Sequence, residues 1–301
     1  MARRGWLTMP AWNELFPPAP APGTPGDPGL FGPSSAAWRI GRERLLVAGG
    51  PTALLLQVAH PLVAAGVAEH SDFTTDPLRR LRATLDAALT VSFGDHAQVA
   101  VAVAAVSHRH RPVIGDLAEN TGRFAAGTRY RAGDPALALW VHATLVWTAV
   151  RTTETFRGPI PPAVRDAYCR EMRQFGRLFG AAEADLPADF ASLDDYLQRA
   201  LDKDVAVGPV AHRLARQILA PEPPLVPAPL QPLTALLAAG LLPARIRADY
   251  QLAWRGREQH MFASLAAATR TTVPVLPPPL RFWPHYRVAR RRIAAQNQSG
   301  R

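Results

Sequence analysis

From Ala36 onward the apolar residues of this chain recur at three- and four-residue intervals, and no run of β-branched residues alternates over the length of a strand. That periodicity admits helices and few strands. It predicts helices over 36–48, 52–69 (interrupted near Pro61), 77–92, 96–109, 135–153, 162–179, 193–203, 209–219, 232–239, 244–269 and 286–295. Asp76-Pro77 and Asp134-Pro135 read as helix starts, with a capping carboxylate followed by a residue that has no N–H to lose. The expected architecture is all-α: one globular multi-helix domain over 36–292 around a buried pocket. A Pro/Gly-rich arm (1–35) precedes it and a polar tail (293–301) follows. Inside the domain the segment 221–232, PEPPLVPAPLQP, reads as a rigid connector, because proline fixes φ and removes donors. The helices after it are expected to fold back onto the first body, since alone they would bury too little surface.

Charged residues make up 19% and hydrophobic ones 48%, which is a globular and not a disordered balance. The formal charge is +10, and Lys203 is the sole lysine, so the excess is arginine. No long arginine run occurs and aromatics do not interleave with basics, which argues against a nucleic-acid partner. The charge remains compatible with an anionic ligand or peripheral contact with a membrane surface. Cys169 stands alone, so no disulfide forms within the chain. The N-terminal residues hold no apolar core of a signal peptide, and no apolar stretch reaches membrane-spanning length. A cytoplasmic location is the expectation.

The stretch 56–84, LQVAHPLVAAGVAEHSDFTTDPLRRLRAT, sets polar groups into an otherwise core-like pattern. Arg80 and Thr84 are four apart and share a helix face. They can hold a carboxylate by a charge-assisted bond, or lie on a solvated surface. His60 precedes Pro61, which should kink its helix and free carbonyls that His60 and Gln57 could satisfy. Glu69 and His70 close that helix as candidate proton donor or base. Beyond it, His110 continues the stripe Val99, Val103, Val106 and is expected to point inward. It reads as a core histidine or as an iron ligand on an apolar wall. His142, among Leu139, Leu145 and Val146, is a second such histidine. No Glu-x-x-His pair, His-Glu-x-x-His, Gly-x-Ser-x-Gly, dinucleotide fingerprint or P-loop is present.

The set Leu56-Gln57, His60-Pro61, Gly66-Val67, His70-Ser71, Arg80-Leu81, Thr84, Phe93-Gly94, His110, Val113 and Gly115 resembles the MpaB-type and rubber-oxygenase (latex-clearing protein) family. The likeness continues through Tyr130, Asp134-Pro135, Leu139 to Thr144, and Leu242-Pro243, Arg247, Tyr250 and Trp254. The resemblance implies an all-helical fold holding haem b through one histidine, and oxidative cleavage of isoprenoid double bonds with dioxygen. Carried over, His110 is the proximal ligand, Arg80 and Thr84 flank the haem, His142 is a further cofactor-side candidate, and Glu69 or His70 lies distally. The metal is iron, bound at His110. Rubber-cleaving members place a lysine before the motif threonine, where this chain has Ala83. The expected activity is therefore that of an oxidoreductase acting with dioxygen on a hydrophobic small molecule that need not be rubber. Two other readings stay open: a non-catalytic helical module at a membrane surface, and a haem enzyme that uses peroxide or cyclises a natural product.

Overall fold

Asp134 accepts a hydrogen bond from the Ala136 N–H, and Pro135 opens the longest helix, which runs to Arg157. About half of this helix is buried, and it is the axis around which the others pack. The computed structural model describes residues 16–70, 77–221 and 231–299, with the side chains of 77, 78, 80 and 296–299 outside that description. Chain order begins with α1 (Ala36–Gly41), a 3-10 segment (Arg44–Gly49), α2 (Gly50–Ala59), α3 (Pro61–His70), α4 (Pro77–Phe93) and α5 (His96–His110). The strands β1 (Ile114–Asp116) and β2 (Arg129–Arg131) follow, then α6 (Pro135–Arg157), α7 (Pro162–Leu178), α8 (Phe190–Lys203) and α9 (Pro209–Leu219). The last are α10 (Gln231–Leu241), α11 (Ala244–Asp249), α12 (Gly256–Thr272), α13 (Pro278–Arg281) and α14 (Pro284–Ser299). The fold is all-α apart from the antiparallel pair β1–β2, in which Gly115 faces Tyr130.

Pro61 does more than kink a helix. The two axes meet at 106°, so α2 and α3 form a corner. The carbonyls freed there are taken by other groups than the His60 ring. The Ala206 N–H donates to Ala59 O at 3.1 Å, and the Trp140 indole donates to Gln57 O at 3.3 Å. Both keep buried acceptors paired at a point where the helix ladder is broken. Gly49 lets the 3-10 segment cross α6 closely, since a Cβ there would meet the Thr152 hydroxyl and lie 2.9 Å from Thr148 Cγ2.

The predicted helix 244–269 is two helices. The Tyr250 hydroxyl reaches into the core and donates to Leu55 O at 2.8 Å, and Gln251 takes a left-handed φ of 55°. That buried bond outweighs the helical periodicity of the local sequence. The helices after the proline-rich segment do return to the body: α10 packs on α2, and α12 on α6. Residues 222–230 of the predicted connector lie outside the described residues, while Pro232 belongs to α10. The final helix extends to Ser299, through most of the predicted tail. The described part of the arm is laid over the body by the Thr24 N–H on Asp95 Oδ2 (2.7 Å) and the Gly26 N–H on Arg292 O (3.0 Å).

Candidate active site

Helices α4 and α5 form a hairpin that is closed at one end and open at the other. At the turn, Asp95 caps α5 through the Gln98 N–H and is itself buried, as are Leu89, Val91, Phe93 and Val99. Away from the turn, burial falls along both helices. Leu81, Leu85, Val103 and Val106 are half-buried, and Thr84 and His110 are exposed. Helix α5 packs chiefly on α4, so its outer face stays uncovered and Val101 is 71% exposed. This overturns the inward direction expected of His110. Its stripe begins in the core at Val99 and runs out to the surface at His110.

The chain leaves His110 through Val113, whose N–H donates to His110 O, and enters β1. Beside β1, the Tyr130 hydroxyl donates to Glu69 Oε2 at 2.5 Å, and His70 Nε2 lies 4.0 Å from the same oxygen. Burial and the Glu69 carboxylate both push the Tyr130 phenol well above its ordinary value, so it remains a donor. Gly115 makes room for the pair: a Cβ there would press on the Tyr130 hydroxyl and lie 2.9 Å from Glu69 Oε2. Gly115→Ala is therefore expected to break this hydrogen bond and to destabilise the fold by about 1–3 kcal/mol. Urea unfolding of the variant measures the loss, and an unchanged midpoint would show that the contact relaxes freely.

At the corner where α3 meets the β1–β2 pair, the structure brings Glu69 and His70 together with Tyr130 and Gly115, while Thr84 on α4 and His110 at the end of α5 are exposed. Arg80 lies on α4 one turn before Thr84, but its side chain falls outside the described residues, as do residues 71–76 between α3 and α4. His142 is not part of this corner. It is buried in α6 with its ring stacked toward Phe175 at 6.4 Å, and a Cβ on Gly176 would lie 3.2 Å from the ring. That packing sets the His142 ring in the core against α7. Its Nδ1 has no hydrogen-bond partner, and burial drives its pKa from 6.5 to about 4. His60 is the same kind of group: buried, lowered to about 4 first by burial, with its ring 5.2 Å from Phe124. Cys169 is pushed up to about 12 by burial and stays a neutral thiol.

A cavity of about 690 Å³ runs along the neighbouring face of the same hairpin, walled by Ala83, Ala87, Val101, Ala102 and Ala105, with Arg109 among its few polar groups. Its base holds a pair that the sequence reading missed. His285 of α14 is buried and its Nε2 lies 3.1 Å from Asp86 Oδ1 of α4. Burial lowers the pKa of this histidine, and the Asp86 carboxylate works in the opposite direction. No local pattern flags either residue, because they are 199 positions apart. Tyr130 was visible as a motif position, but its tie to Glu69 emerges only once β2 is folded against α3.

The sequence matches a known family. The profile of the family described as ER-bound oxygenase mpaB/B'/Rubber oxygenase, catalytic domain, matches residues 38–271. The chain belongs to this family, and the protein is accordingly an oxidoreductase of the oxygenase class. Among curated proteins it is similar to an uncharacterized protein of Mycobacterium bovis and to one of Mycobacterium tuberculosis. Each is 28% identical over 232 residues, covering 74% of this chain and 87% of the relative. No solved structure matches it significantly.

Proposed function

We propose that this chain is a haem b-dependent oxygenase acting with dioxygen on a hydrophobic substrate of the isoprenoid or terpenoid class. The observation that carries the reading is the cavity along the α4–α5 hairpin, walled by alanine and valine and lined by Arg109, the chain neighbour of His110. The donor set suits the group. A haem asks of a protein one imidazole nitrogen and apolar walls, and among the described residues no cluster of three or more His, Cys, Asp or Glu would hold a bare ion instead. His110 would ligate the iron, with Arg80 and Thr84 holding the edge of the group. When bound, the haem supplies the open iron position at which dioxygen is activated.

The remaining tasks fall to the chain. Tyr130 donates to Glu69 Oε2 and fixes the carboxylate, and its raised pKa keeps the proton on the phenol. Glu69 so held is the group to accept a proton at Oε2, with His70 at 4.0 Å as a relay to solvent. The alanine and valine wall of the cavity favours an apolar chain. Ala83 lines that wall with a methyl group where the family resemblance puts a lysine in rubber-cleaving members, which supports a substrate other than rubber. We assign the activity to the cytoplasm, in keeping with the single, buried Cys169.

Oxygen uptake by haem-loaded protein over a panel of farnesyl, geranylgeranyl and polyisoprene substrates tests the proposal. Glu69→Gln is expected to lower turnover by about 10²-fold or more, the range for a positioned proton-transfer group, at unchanged haem content. Uptake no faster than that of free haemin across the whole panel would contradict it.

A further inference from the structure

Seven arginines and no acidic residue follow Glu258, so the last part of the chain carries most of the net charge of +10. Within it, residues 274–280 (PVLPPPL) lead from the end of α12 into α13 and are all exposed. Val275 is 80% exposed and Leu280 62%, and Leu276 lies between them. Large apolar side chains this exposed cost hydration unless something covers them. The projection is also built to be rigid. Val273 anchors it in the core, and the Arg281 guanidinium donates to Pro274 O at 3.1 Å while gripping the buried Glu43 carboxylate. Four prolines remove backbone donors and limit its conformations.

Basic groups precede and follow it in the chain. Arg270 closes α12 just before the projection and is exposed. Arg287, Arg290 and Arg291 follow on the solvent-reached face of α14, whose buried face carries His285, Tyr286, Ala289 and Arg292. Glu43, the carboxylate nearest this segment in the contacts made by Arg281, is buried and neutralised. An apolar tip flanked in the chain by arginines, with no exposed acid in its own sequence, is complementary to one kind of surface: acyl chains beneath anionic headgroups.

We propose that the 274–280 projection and the basic face of α14 dock this protein onto an anionic lipid bilayer, with Val275, Leu276 and Leu280 entering the headgroup boundary. The projection begins beyond the segment matched by the family profile, which ends at residue 271. The inference does not depend on the cofactor or the substrate. No single helix among the described residues is long and apolar enough to cross a membrane, and the contact proposed is peripheral.

Flotation of the full chain with vesicles of phosphatidylglycerol and phosphatidylcholine (1:1), and with phosphatidylcholine alone, tests this. Binding is expected to the first and not the second, and to weaken steeply between 0.1 and 0.5 M salt. The double variant Val275→Asp/Leu280→Asp touches only exposed side chains. It should keep the wild-type melting temperature and lower vesicle partitioning at least tenfold. Arg287→Gln/Arg290→Gln/Arg291→Gln should lose binding to a similar degree and remove most of the salt dependence. Wild-type protein that stays unbound at low salt overturns the proposal, as does equal binding by the Asp variant. A concentration-dependent dimer abolished by that variant would assign the tip to a second copy of the chain and overturn it too.

Discussion

Replacing Glu43 by alanine is expected to cost about 3–5 kcal/mol of stability, the usual loss when one partner of a buried ion pair is removed. Glu43 is only 4% exposed. Its two oxygens accept from Arg281 Nε and Nη2 at 2.8–3.2 Å, and Arg157 Nη2 stands 3.7 Å away. Removing the carboxylate leaves two largely desolvated guanidinium groups facing each other with nothing between them. Glu43→Gln should lose less, because its amide oxygen still accepts a hydrogen bond. Urea unfolding of the two variants measures the difference. A Glu43→Ala loss below about 1 kcal/mol would mean that the pair behaves as a surface salt bridge.

Acid should unfold the cofactor-free protein through two buried histidines. Burial lowers His60 and His142 from 6.5 to about 4. In the unfolded chain both imidazoles take up a proton near pH 6.5, whereas in the folded chain they stay neutral until pH falls to about 4. Between these values the unfolded state binds more protons, so stability rises with pH. It is complete above pH 6.5 and is lost progressively down to about pH 4. At about 1.4 kcal/mol per pKa unit the loss is on the order of 3 kcal/mol per histidine. Unfolding free energies at pH 7.5 and 4.5 read it directly, and a His60→Leu/His142→Leu variant should show a flatter profile. Parallel profiles for the two proteins would contradict this assignment.

Much of the fold is legible in the sequence because its helices are amphipathic and begin at Asp-Pro or Pro. The 209–219 helix is found at its predicted limits. The break after α11 was hidden because its cause is remote: Tyr250 answers to Leu55, 195 residues away. The strands were missed because three residues are too few to show alternation. The motif positions divide by role. Gly66, Gly115, Asp134, Arg247 and Tyr250 serve packing and capping: Gly66 lies against Tyr130, and Arg247 donates to Ala239 O and stacks on Trp254. Spacing placed Glu69 and His70 at a helix end, but their association with Tyr130 needed the hairpin. The valine stripe misled for His110 because periodicity reports which residues share a face and not whether any element covers it.

The central claim is that the open end of the α4–α5 hairpin takes a haem through His110. Titration of purified protein with haemin, followed by absorption of the oxidised and reduced forms, tests it most directly. The account predicts a shifted Soret band saturating at one haem per chain. It also predicts loss of most of that haem in His110→Ala, with the melting temperature of the cofactor-free variant near wild type because His110 is exposed. No Soret shift with wild-type protein, or full haem uptake by His110→Ala, would contradict it.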